Sequence, residues 1–337
     1  MNNFELKQKL FALRVRAQID PRVTPCSVSV RETGGEIVVS GFTGYQQTDT
    51  CVRNIAAEVF TRQKLRFDLK VLSRDYKLQF FEVAKSGAPF YKMPRVVKKD
   101  LLTEALYGSV IRGYFHKGTW TFAQHPDGYV GYVPRAALRP ADADRYLRWK
   151  NGEYAILLEP LTAAGVKLAP GTRLISEGNR VQLVNRSWIR IAPGKAHRIL
   201  PGDPKLRNAL LKTMKSFSKT PYLWGGKTDG GIDCSGFAQT LMQSQHVLLP
   251  RDASMQAYVG EMVGILPDKA DLLPGDLVFF MKDTGTIYHV GVYVGKGCYI
   301  HSSGKRNVLK SAFAENGENH MPNYSANYVY GRRVCIR

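Results

Sequence analysis

The chain has 337 residues, 44% of them hydrophobic, and a formal net charge of +20 from 48 Lys and Arg against 28 Asp and Glu. At ~100–200 residues per domain this length predicts two or more domains, and the composition excludes a wholly disordered chain. No run of about 18 apolar residues offers a membrane-spanning helix, and the five cysteines, odd in number and without a CxxC pair, exclude a disulfide framework or a zinc-finger pattern.

The opening Met1-Asn2-Asn3-Phe4-Glu5-Leu6-Lys7 lacks a basic segment followed by an apolar one, so no secretory signal is read. The cytoplasm is the expected location, with export the alternative. Residues 5–18 read as a helix. Ser27–Thr43 reads as a hairpin turned by Gly34-Gly35. Thr48 or Asp49 is expected to cap a helix running through Val59, with Val52, Ile55 and Ala56 on its apolar face. Leu65–Val71 alternates as a strand. This order, over residues 1–74, resembles a BON-type α+β module.

Residues 75–141 change character. Short strands are expected at Lys77–Val83, Ser109–Tyr114, Trp120–Ala123 and Gly131–Val133, separated by Gly, Pro and Asp, which suits a small barrel. Ala88-Pro89-Phe90-Tyr91, Thr103–Gly108 and Asp127–Val133 resemble segments of bacterial SH3-like domains. Arg139–Asp144 reads as a linker. Residues 148–200, with strands at Ala155–Leu158, Arg173–Ser176, Arg180–Val184 and Trp188–Ile191, read as a second, degenerate SH3-like barrel. Residues 76–200 hold 20 Lys and Arg against 9 Asp and Glu. Such a surface suits nucleic acid, an anionic lipid or polymer, or an acidic small substrate. No nucleic-acid recognition motif accompanies it, so nucleic acid is not an expected partner.

Pro201-Gly202-Asp203-Pro204 reads as the last boundary, and a helix is expected to follow through Phe217. From Asp233 the pattern turns helical again, with Phe237, Ala238, Leu241 and Met242 on one face. Cys234 therefore stands at a helix N-terminus, where unpaired N–H groups and the helix dipole favour a thiolate. A lone cysteine in an apolar helix is ordinarily core, but polar Asp233 and Ser235 flank this one, which points to a nucleophile. Leu277–Met281, His289–Gly295 and Gly297–Ser303 read as strands. Alternation puts Val290, Val292 and Val294 on one face and His289, Gly291 and Tyr293 on the other. A hairpin centred on Lys296 sets Gly291 opposite His301, with His289 diagonal to it, so His301 is placed to orient His289 as a base; a one-residue slip would separate them. Zinc on Cys234, His289 and His301 is the rival reading. No compact ligand pair or completing carboxylate supports it, and neither metal nor cofactor is expected.

Tyr222-Leu223-Trp224-Gly225-Gly226, Asp233-Cys234-Ser235-Gly236-Phe237, Leu249-Pro250-Arg251-Asp252, Leu273–Phe280, His289–Tyr293 and His301-Ser302-Ser303 together resemble the NlpC family of cell-wall cysteine peptidases, over residues 205–337. The resemblance implies a permuted papain-like α+β domain, preceded here by two SH3-like β-barrels and the small α+β module. It implies Cys234 as nucleophile, His289 as general base and His301 as the orienting residue. The Cys234 N–H and the Tyr222 hydroxyl are then the oxyanion donors. Family members of similar architecture cleave γ-D-glutamyl–diamino acid bonds, so a peptidoglycan stem peptide or muropeptide with a free N-terminal L-alanine is the implied partner. By the same resemblance Glu104 and Asp233 face that amine, Tyr129 walls the cleft, Ser235 and Arg251 line it, and Trp224 lines the pocket or supports its loop. A hydrolase of intact wall and a non-catalytic wall-binding adaptor are the alternatives.

Overall fold

The computed structural model describes residues 3–17, 19–192, 194–197, 206–245, 247–266, 268–304 and 307–334. The expected boundary at 201–204 and Cys335 lie outside the described residues.

The N-terminal unit runs α1 (Asn3–Arg16), β1 (Ser27–Thr33), β2 (Glu36–Thr43), α2 (Gln46–Val59), β3 (Lys64–Val71) and a short α3 (Leu72–Asp75). Gly34 and Gly35 both have positive φ, which the tight β1–β2 turn requires. β3 pairs parallel to β2, a connection made possible by the α2 crossover. Val52, Ile55 and Ala56 pack on Ile37 and Val39 as their spacing predicts. The helix begins earlier than expected, after Tyr45, and neither Thr48 nor Asp49 caps it. Asp49 lies buried in the first turn, paired with Arg53 one turn on.

The next unit has β4 (Gln79–Val83), β5 (Gly87–Tyr91), β6 (Leu101–Leu106), β7 (Val110–Lys117), β8 (Trp120–Gln124), β9 (Val130–Pro134) and β10 (Leu138–Ala141). They close one sheet in the order β10-β4-β7-β8-β9-β5-β6 around Phe81, Phe90, Ile111 and Val133. The segment expected as a linker is not one. Arg139, Pro140 and Ala141 pair with β4, and Asp142 caps α4 (Ala143–Asn151) by accepting the Arg145 N–H. Pro140 made the stretch look irregular, yet proline is tolerated on an edge strand such as β10.

The third unit comprises β11 (Tyr154–Leu157), β12 (Leu161–Ala163), β13 (Val166–Leu168), β14 (Arg173–Glu177), β15 (Arg180–Gln182), β16 (Trp188–Arg190) and β17 (Ala196–His197). Its main sheet is ordered β16-β15-β14-β11-β17, with β12-β13 a separate hairpin. Buried Glu82 of β4 accepts from Arg145 of α4 and Arg186 of this unit, which locks the two barrels together.

The C-terminal unit contains α5 (Leu206–Ser216), β18 (Lys227–Thr228), β19 (Gly231–Ile232), α6 (Cys234–Gln243), α7 (Ala253–Gln256), β20 (Glu261–Val263), β21 (Leu277–Met281), β22 (Ile287–Gly295), β23 (Cys298–Ser302), β24 (Val308–Ala312), α8 (Pro322–Asn327) and β25 (Tyr328–Arg333). The sheet order is β20-β25-β21-β22-β23-β24. Phe237, Ala238, Leu241 and Met242 of α6 pack on Leu277, Phe279, Val290 and Val292. Each large apolar side chain buried there contributes about 1.5–3 kcal/mol. The other sheet face is buried too, through Val278, Phe280, Tyr299 and Tyr328, with Tyr324 of α8 packed against them. The helix that begins with Cys234 thus meets a sheet whose far face carries the histidines.

Candidate active site

Cys234 is the first residue of α6, and its approach is folded by local rules. Asp233 has extended backbone and accepts the Gly236 N–H at 2.7 Å, an ordinary N-cap. Its carbonyl takes the Phe237 N–H. A helix supplies no acceptor for the N–H of its first residue, so that of Cys234 is left for an incoming oxygen. Gly226 lets the preceding hairpin fold tightly, since a Cβ there would fall 2.4 Å from the Gly231 carbonyl oxygen. Tyr222 bridges to Ile232 and is brought beside Cys234, and burial raises its hydroxyl pKa so that it stays a donor.

The histidines sit as the alternation predicts. Tyr293 pairs with Tyr299 and Val292 with Ile300, which continues to the expected Gly291–His301 opposition. His289 Nε2 and His301 Nδ1 are 2.7 Å apart, and His301 Nε2 is 3.1 Å from Ser311 Oγ. If His301 donates to Ser311, its Nδ1 must accept from the His289 Nε2–H. His289 Nδ1 is then the ring nitrogen with a lone pair for the thiol proton. In the reverse chain of donors His289 Nδ1 carries a proton and is no base, so only the first arrangement is competent. The Val290 N–H, next to His289, and the Ser235 N–H both favour a thiolate at Cys234.

One expectation is overturned. The helix N-terminus predicts a lowered thiol pKa, but burial, reinforced by Asp233, pushes the Cys234 thiol up to about 12. Burial and the neighbouring His301 hold His289 well below the usual histidine range, and burial lowers His301 to about 3. The resting pair is therefore neutral thiol and neutral imidazole. Desolvation outweighs the helix dipole because it acts on the whole ion and the dipole on part of it.

Two family models match the chain: the NlpC/P60 family over residues 219–330 and the bacterial dipeptidyl-peptidase Sh3 domain over residues 97–138. A gamma-D-glutamyl-L-lysine dipeptidyl-peptidase of Bacillus cereus is 31% identical over 230 residues, covering 60% of this chain and 67% of the relative. The probable endopeptidase NlpC of Escherichia coli is 42% identical over 124 residues, covering 34% of this chain and 78% of its own. The chain belongs to the NlpC/P60 family. The fold is shared with the crystal structure of a Bacillus cereus NlpC/P60 protein, at TM-score 0.62 and 24% identity over 76% of this chain and all of that one. It is shared also with an NlpC/P60 endopeptidase of Photobacterium damselae subsp. piscicida, at TM-score 0.59 and 15% identity over 98% of this chain and 83% of that one. Neither family model covers the N-terminal unit.

Beside Cys234 lies a charged cluster. Arg251 Nη1 and Nη2 bond Asp233 Oδ1 and Oδ2 at 2.9 and 2.6 Å, with further bonds to Ser235 Oγ (2.8 Å) and to Thr103 Oγ1 of β6 (3.0 Å). Arg251 is 2% exposed, so it does not line the cleft as a free cation. Asp233 Oδ2 also accepts the Gly225 N–H, at 2.8 Å. With both oxygens engaged, Asp233 caps the helix and anchors Arg251 instead of offering a lone pair to an amine. Glu104, also on β6, is differently placed. Its Oε2 accepts the Lys227 N–H at 2.8 Å, while no described residue donates to Oε1. Burial raises its pKa, and a Cβ at Gly87 would crowd Oε1 at 3.3 Å. Glu104 is the carboxylate with capacity to spare. Tyr129 is buried and donates to Asp252 Oδ2 at 3.2 Å. Trp224 is 63% exposed, so it does not brace its loop from within.

Four contributors escaped sequence reasoning. Tyr324 stacks on His289 with centroids 4.4 Å apart, and Ser311 ends the histidine relay. Lys227 is buried, and that burial lowers its amine to about 8. Arg22, from the N-terminal unit, bonds Asp252 at 2.8 Å and so braces the Tyr129 partner. A lysine set among glycines, Lys227 between Gly226 and Gly230, was the one visible signal. The other three meet the site only through the fold.

Proposed function

We propose that this chain is a cysteine peptidase that hydrolyses the bond between γ-D-glutamate and the diamino acid of peptidoglycan stem peptides, acting in the cytoplasm on soluble fragments whose N-terminal L-alanine amine is free. The observation that carries the reading is Cys234 at the N-terminus of α6 beside the His289–His301–Ser311 relay. The bond is suggested by the name of the Bacillus cereus relative. As the thiol sulfur attacks the amide carbonyl, its proton passes to His289 Nδ1. The Cys234 N–H and the Tyr222 hydroxyl meet the oxyanion, each donor worth ~3 kcal/mol in comparable sites. His289 then protonates the leaving amine. Water, deprotonated by His289, hydrolyses the thioester and restores the neutral pair. Neutral His301 orients this base without stabilising imidazolium as a carboxylate would.

The free-amine preference is supported by the spare Oε1 of Glu104, half-buried beside the Asp233–Arg251 pair. The excess positive charge suits a substrate carrying several carboxylates. The test offers L-Ala-γ-D-Glu-diamino acid peptides with free and acetylated N-termini to wild type, E104Q and C234A. The free peptide is expected to be cleaved in preference, E104Q to lose about 10–100-fold in kcat/KM on it alone, and C234A to be inactive. Equal cleavage of both peptides removes the amine assignment. Turnover by C234A removes the cysteine mechanism, and strong retention on purified sacculi favours intact wall as substrate.

A further inference from the structure

Away from the catalytic residues, a cavity of about 380 Å³ lies where the two barrels, α4 and the peptidase unit meet. None of Tyr222, Cys234, His289 and His301 lines it. Its size falls within the range of about 300–1,000 Å³ usual for small-molecule sites. Its walls include Arg112 of β7, Trp149 and Lys150 of α4, Arg173 of β14, Lys227 of β18 and Gln239 of α6.

Charge there is out of balance. Four basic side chains, Arg112, Lys150, Arg173 and Lys227, line the cavity with a single carboxylate, that of Asp127. That carboxylate is already held by His125, by the Tyr129 N–H and by Gln239 Nε2. Arg173 is 7% exposed and has no acidic partner among the described residues. It stacks on Trp149 and Tyr154 and donates through Nη2 to the Lys150 carbonyl, but its Nε is unpartnered. Trp149 Nε1 and Gln239 Oε1 are also buried without a partner. These three atoms are shut off even from water, so it is the remaining atoms of the wall, cationic and aromatic, that face the cavity.

We propose that this cavity is a second ligand site that binds a small organic acid of amino-acid to dipeptide size. Its carboxylate meets the basic side chains of the wall, Arg112, Lys150 and Arg173. Gln239 lies on the helix that begins with Cys234, so the site and the nucleophile share one rigid element.

The experiment uses the full chain with Cys234 alkylated, which blocks the catalytic cleft. N-acetyl-L-glutamate and its uncharged relative glutaramide are titrated by calorimetry, with Trp149 fluorescence as a second readout. Saturable binding of N-acetyl-L-glutamate alone is expected, with quenching. R112Q should weaken it about tenfold or more. R173Q should abolish it, and because that change removes packing against two rings, K150Q serves as the fold-preserving control with a smaller loss. The proposal is overturned by the absence of saturable binding below about 10 mM, by equal affinity for glutaramide, or by unchanged affinity in both R112Q and K150Q.

Discussion

Two polar clusters flank the N-terminus of α6 and are equally withdrawn from water, yet they meet burial in opposite ways. The proposed catalytic cluster, Cys234 with His289 and His301, has no counter-ion among the described residues and stays neutral, with the thiol pushed up and both imidazoles pushed down. In the supporting cluster, Asp233 and Arg251 form an ion pair in which each oxygen and each terminal nitrogen has a partner, and Asp233 raises the Arg251 pKa against the cost of burial. Burial alone therefore does not decide protonation in this molecule; pairing does. The division has a chemical use. A neutral thiol and imidazole can exchange a proton during attack, while a locked ion pair holds the helix end that presents them.

The largest effect should come from breaking the charged cluster. R251M leaves Asp233 buried and uncompensated, and about 3–5 kcal/mol of stability should be lost in urea unfolding. The double variant D233N/R251M should recover part of it. A single variant as stable as wild type would show that the N–H bonds from Gly225 and Gly236 suffice for Asp233.

The neutral cluster is broken by acid. His289 and His301 have folded pKa values below the unfolded value near ~6.5, so between those values the unfolded chain binds protons that the folded chain refuses. Stability should fall as pH drops below about 6.5, by up to ~1.4 kcal/mol per pH unit for each histidine. Urea unfolding at pH 7 and pH 5 measures this, and H301Q should flatten the slope. A slope unchanged in H301Q would mean that other groups carry it.

Alkylation sharpens the same contrast. A thiol pushed up to about 12 should react with iodoacetamide at a rate rising about tenfold per pH unit from pH 6 to 9, without a plateau. A plateau at acid pH would reveal a thiolate–imidazolium pair instead. The smallest effect is expected at the rim, where Arg22 and Asp252 are partly exposed. R22A should cost about 0.5–1 kcal/mol, read as a several-fold rise in KM with kcat unchanged.

The parts of the site legible in the sequence are those set by neighbours along the chain. Asp233 before an apolar helical stripe is a capping signal, and it placed Cys234. Alternation from His289 to Val294 sorted that strand's two faces. The hairpin register was reached by a different route from the one expected. Lys296 and Gly297, both at positive φ, form a two-residue turn that pairs Gly295 with Cys298. Continued regularly, that turn would put His289 and His301 on opposite faces. A bulge at Val294 restores the register, with Tyr293 opposite Tyr299. The expected thiolate failed for a related reason: a dipole can be read from position, but desolvation depends on everything packed around the sulfur.

By itself the sequence determined that Cys234 opens a helix and that His289 and His301 share one sheet face, because caps, alternation and turn glycines act over a few residues. Tertiary structure alone decided that Ser311 ends the histidine relay with Tyr324 stacked on His289, that β6 of the barrel supplies Thr103 to Arg251, and that Arg22 reaches in from the first unit. Those contacts join segments far apart in the chain, and no local preference encodes them. They follow from which faces the separate units must bury against one another.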